Sequence, residues 1–146
     1  MKGRLLRIVL VLAPLVLALP AHGEDARQLA TLPAAAQETL RQEMLDNLLA
    51  VNEILELLVA GKVKEAGAVA EAKLGQSAMG RHRDKPFDAR PGPHMPPAMH
   101  RIGMEGHAAA SEFAAAAATG DRDKAVALLP RLTGNCIACH YAWRTR

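Results

Sequence analysis

Apolar residues recur every three or four positions along most of this chain, and after Gly23 they nowhere alternate with polar ones. Between Pro33 and about Ala60, Leu40, Met44, Leu48, Val51, Leu55 and Leu58 are separated by 4, 4, 3, 4 and 3 residues, which predicts one inward stripe on a long helix. Glu38, Gln42, Asp46, Glu53 and Glu56 fall off that stripe, and Gly61 supplies a stop. A second helix is predicted over about Lys62 to Met79, carried by Val63, Ala66, Ala70 and Leu74. Its small residues permit close approach, and the short connection makes these two helices antiparallel neighbours.

Pro86, Pro91, Gly92, Pro93, Pro96 and Pro97 break the pattern, so residues 80–97 read as a long crossover loop. A third helix is expected from near Ala98 to Gly120, with Ile102, Gly106, Ala109, Phe113 and Ala116 or Ala117 on one face. Gly103 and Gly106 weaken it, which predicts a bulky group pressed against them, either a bound prosthetic group or the first helix. Asp121 reads as the cap of a fourth helix with Val126, Leu128, Leu129 and Leu132 inward. Pro130 predicts a kink or division near Leu129, with the last segment resuming after Thr133. The expected fold class is all-α, an antiparallel four-helix bundle.

The N-terminus has a different composition. Lys2, Arg4 and Arg7 precede an apolar run from Leu5 to Leu19 broken only by Pro14, the pattern of a signal peptide. The small residues Ala21 and Gly23 set cleavage after Gly23, with Ala21 or Ala26 as alternatives. A run of about 15 residues is shorter than the roughly 20 that span a bilayer, which favours a cleaved signal over a retained anchor. Export to a bacterial periplasm, with no stable membrane insertion after cleavage, is therefore expected of residues 24–146, which suit one domain.

Cleavage also changes the charge. The 18 basic residues include Lys2, Arg4 and Arg7, and without them 15 bases face 15 acids. A formally neutral chain gives no case for nucleic-acid binding or for a strongly steered anionic partner.

The two cysteines lie in Cys136-Ile137-Ala138-Cys139-His140. On a helix these thiols and the imidazole share one face, where they can meet one flat ligand together. The spacing is that of a covalent haem c site, with thioethers from Cys136 and Cys139 and with His140 as proximal iron ligand. A thioredoxin-like redox pair would need the CxxC at the start of a helix after a strand, and no strand pattern precedes this one. A structural zinc site would need four closed ligands and finds no second cysteine pair. The scarcity of aromatics, limited to Phe87, Phe113, Tyr141 and Trp143, agrees with a core in which one buried porphyrin fills space.

CxxCH near the end of an exported four-helix chain resembles the class II cytochromes c, the cytochrome c prime family and its low-spin members. That family often continues with two residues, an aromatic and a base, matched here by Tyr141-Ala142-Trp143-Arg144. The resemblance implies that Trp143 packs near the haem, that Arg144 lies close to a propionate, and that a helix-packed homodimer forms. A frayed, solvated helix end is the structural alternative for both residues. Pro130 and the crossover depart from the family pattern.

That crossover and the helix after it gather His94, Met95, Met99, His100, Met104 and His107. His100, Met104 and His107 fall on one helical stripe, and imidazole with thioether suits copper. The alternative is methionines filling a core and solvated histidines. One of these histidines approaching the distal face of the iron is a further expectation, while His82 reads as a surface residue.

Two function classes follow, and neither requires a catalytic residue. The first is electron transfer with a redox partner protein through a six-coordinate haem. The second is binding of a small gas, nitric oxide or carbon monoxide, at a five-coordinate iron. Low-spin members of the resembled family take a methionine from this part of their first helix as sixth ligand, which points to Met44 and to electron transfer; the alternative is that Met44 fills core space beside Leu40 and Leu48.

Overall fold

The computed structural model describes residues 24–146, and the predicted signal peptide, residues 1–23, lies outside them. The described chain is mostly helical, with helices α1 Ala34–Val59, α2 Val63–Leu74, α3 Pro97–Ala118, α4 Arg122–Ala127 and α5 Leu129–Ala142. Two-residue strands β1, Gln28–Leu29, and β2, Trp143–Arg144, form a parallel pair. No described helix is long and apolar enough to cross a membrane.

Local chemistry explains the breaks. Gly61 adopts φ 74°, and the Gly61 and Lys62 amides close α1 by donating to Leu58 O at 3.2 Å and Leu57 O at 2.8 Å. This is a glycine-terminated helix end with its last carbonyls satisfied. α2 stops at Leu74, short of the predicted Met79, where Ser77 turns its hydroxyl onto Glu71 O at 2.8 Å and a short 3-10 turn, Gln76–Ala78, follows. The crossover contains two more such turns, Phe87–Ala89 and Gly92–His94, and packs back on α1.

The predicted division before the motif occurs at Leu128, between α4 and α5. α5 resumes at Leu129 instead of after Thr133, because Pro130 falls in the first turn, where its missing N–H has no intrahelical partner to lose. Asp121 caps α4 as expected, accepting from the Lys124 amide at 3.1 Å.

The main core joins Ile54 and Leu58 of α1, Val63, Ala66 and Ala70 of α2, Ala110, Phe113 and Ala117 of α3, Ala125 of α4 and Leu132 of α5. Phe113 and Ile54 are its largest fully buried side chains. α2 and α3 approach closely at Gly67, where a Cβ would come within 2.8 Å of Ala117 Cβ and 3.0 Å of Ala114 O. α1 packs on α2, α2 on α3 and α3 on α5, while no extended contact joins α5 back to α1.

This arrangement corrects the predicted stripe of α1. Leu40 and Leu58 are buried, but the core is reached through Ala36, Ala50 and Ile54, while Leu48 is 67% and Leu55 42% exposed. α1 packs on α2, whose buried residues Ala66, Gly67 and Ala70 are small, and it meets the core by its alanine-bearing edge, which leaves the leucine-rich edge outside. The first helix does not supply the bulky neighbour expected at Gly103 and Gly106. A Cβ at Gly103 would meet nothing within 4 Å, and one at Gly106 would meet only Asn135 Cβ at 3.6 Å.

Candidate functional site

The whole motif lies in the last two turns of α5. Cys136 and His140 are exposed and Cys139 is half-buried, and both thiols are free. Burial pushes both thiol pKa values up, and the neighbouring Cys136 charge raises Cys139 further. Raised thiols carry little thiolate at neutral pH, which argues against a redox-active CxxC nucleophile. Among the described residues no three His, Cys, Asp or Glu side chains gather as a metal-binding group.

A second apolar cluster lies beside the motif. Ala30, Leu32, Ala36, Leu40 and Met99 are its buried members, and Met44, Met95, Cys139 and Trp143 pack against it. Met44 of α1 and Cys139 of α5 thus belong to one assembly, although α1 and α5 share no extended contact. From Met44 a line of apolar residues continues up α1 through Leu48, Val51 and Leu55, and its leucines are exposed. The two free thiols, the exposed imidazole and the apolar cluster beside Cys139 are a donor set and a surface that fit a haem.

Trp143 and Arg144 are not a frayed end. They form β2, which pairs Trp143 with Gln28 and Leu29 with Arg144, and both residues are half-buried. Arg144 Nε is buried without a hydrogen bond and lies 3.8 Å from Asp25 Oδ2.

The histidine- and methionine-rich segment separates by residue type. Met95 and Met99 join the cluster beside Cys139, whereas the histidines turn to other partners. His94 sits edge-on to Phe87 with ring centroids 5.0 Å apart, its Nε2 3.1 Å from Phe87 O. His107 Nδ1 donates to Leu74 O at 2.8 Å and Gly75 O at 3.1 Å, capping the end of α2. His100 and Met104 are exposed. Committing His107 Nδ1 to the backbone leaves only its Nε2 for the stripe expected to bind copper.

His82 is a correction: it is half-buried, with Nε2 3.2 Å from Glu43 Oε2, and Arg81 Nε lies 3.8 Å from the other oxygen of the same carboxylate. Glu43 precedes Met44, so this contact fastens the start of the crossover to α1 at the level of Met44. Sequence spacing carried no signal for it, because the partners belong to different elements. The same holds for Asp25 and Arg27, which reach the end of α5 from the segment before α1.

Comparison of the chain with protein-family models, curated proteins and solved structures finds no match.

Proposed function

We propose that this chain is an exported c-type cytochrome, an antiparallel four-helix bundle in which α4 and α5 together make the fourth helix. Cys136 and Cys139 hold one haem c by thioethers, His140 is the proximal iron ligand, Met44 is the distal ligand, and the haem passes electrons to and from a redox partner protein. The observation that carries this reading is the packing of Met44 and Cys139 against one apolar cluster.

When bound, the haem supplies a one-electron couple. The chain's own residues do the rest. The cluster of Leu32, Leu40, Met95, Met99 and Trp143 keeps water from the side where Met44 lies, and Arg144 offers a cation beside it. A thioether opposite an imidazole raises the potential and fills the coordination sphere, which favours electron transfer over gas binding.

Acid-acetone extraction and absorption spectra of the purified protein, oxidised and reduced, with and without carbon monoxide, test this. Haem should stay with the protein, and Cys136→Ala combined with Cys139→Ala should release it. Haem in the acetone layer from the unmutated protein would end the reading.

A further inference from the structure

The N-terminal residues of the described chain are strapped across the end of the motif helix. Beyond the β1–β2 pairing, the Ala30 amide donates to Arg144 O at 2.8 Å, and Gln37 Nε2 donates to Thr145 O at 2.6 Å. Ala30 is fully buried and Leu32 nearly so, both in the cluster that includes Cys139 and Trp143. At the start of this strap, Arg27 Nη1 donates to the backbone carbonyl of His140 at 3.4 Å. That carbonyl lies in the last turn of α5, where the helix offers no amide of its own to bond it. Asp25 fixes the guanidinium with a two-pronged contact, Nη2 to Oδ2 at 2.6 Å and Nε to Oδ1 at 2.9 Å, and its Oδ2 also lies 3.8 Å from Arg144 Nε.

We infer that Asp25 and Arg27 form a positioning pair for the proximal side of the haem. Asp25 orients Arg27, Arg27 caps the helix end on the carbonyl of His140, and His140 thereby presents its imidazole from an anchored backbone. This rests on the haem reading above. An arginine donating to the last carbonyls of a helix is a common stabiliser of its C-terminus, but here it comes from the opposite end of the chain and acts on the residue assigned as the ligand. Hydrogen bonds from Arg27 hold the Asp25 carboxyl down to about 2, so the pair is ionised throughout the neutral range. The side chains of both are 41% exposed, so substituting them leaves the core intact.

The test is the midpoint potential of the holoprotein in Arg27→Gln, Asp25→Asn and Arg27→Lys. If these residues acted only as nearby charges, losing the arginine would lower the potential and losing the aspartate would raise it. If they position His140, both losses undo the same cap. Arg27→Gln and Asp25→Asn should then displace the potential in the same direction, and Arg27→Lys, which keeps a cationic donor, should return it close to the wild-type value. Displacements of opposite sign, or none, with haem covalently in place would overturn the positioning role and leave the haem assignment standing. A wild type without covalent haem would overturn both.

Discussion

Met44 on α1 and Cys139 on α5 pack against the same small apolar cluster, although they come from opposite ends of the described chain. The wild-type protein should accordingly be low-spin and slow to bind carbon monoxide. Met44→Leu preserves size, so it should cost less than about 1.5 kcal/mol of stability. The variant should turn high-spin and bind carbon monoxide readily, as followed by absorption spectra and ligand mixing. A high-spin wild type that binds carbon monoxide at once would move the assignment to the gas-binding class.

His140 is exposed, and no side-chain hydrogen bond to its ring is present among the described residues. His140→Ala should keep haem attached through Cys136 and Cys139 but lose the normal axial field, which the reduced spectrum reads directly. An unchanged spectrum would identify another residue as the proximal ligand.

The close approach of α2 and α3 at Gly67 gives a prediction independent of haem. Gly67→Ala inserts a methyl group 2.8 Å from Ala117 Cβ and 3.0 Å from a backbone oxygen, so α2 and α3 must separate. Overpacking of this kind destabilises by about 1–3 kcal/mol, measurable as a lower denaturant midpoint. Gly103→Ala, with open space around its Cβ and a gain in helix propensity, should be neutral or stabilising in the same assay.

Glu71 supplies a pH dependence. Hydrogen bonds from the Ser111 hydroxyl at 2.5 Å and from the Ser77 amide at 3.0 Å hold its carboxyl below the usual glutamate range. The stability this adds is fully present above the unfolded value near 4.5 and is lost as pH falls through the lower folded value. Ser111→Ala removes the largest of these contributions, so acid unfolding followed by circular dichroism should begin at a higher pH than in the wild type. An unmoved acid transition would show that the Glu71 contact adds nothing to stability.

Much of this protein was legible in its sequence because the information is local. The 3.6-residue period, Gly61, Asp121 and the prolines mark where helices start and stop, and CxxCH needs only one turn of helix to bring its three side chains to one face. What the sequence left open depended on which faces meet. α1 is apolar on more than one side, and only its packing on α2 decided that Ala50 and Ile54 turn inward while Leu48 and Leu55 stay exposed. Pro130 announced a break, but its place in the first turn of α5 let the helix resume at Leu129. A two-residue strand has no period to detect, so the pairing of Leu29 with Arg144 was invisible until the ends of the chain came together. Spacing likewise grouped His100, Met104 and His107 by type. Packing separated them, because the α2 carbonyls needed a donor and His107 supplied it, whereas the cluster beside Cys139 needed apolar volume and Met95 and Met99 supplied that.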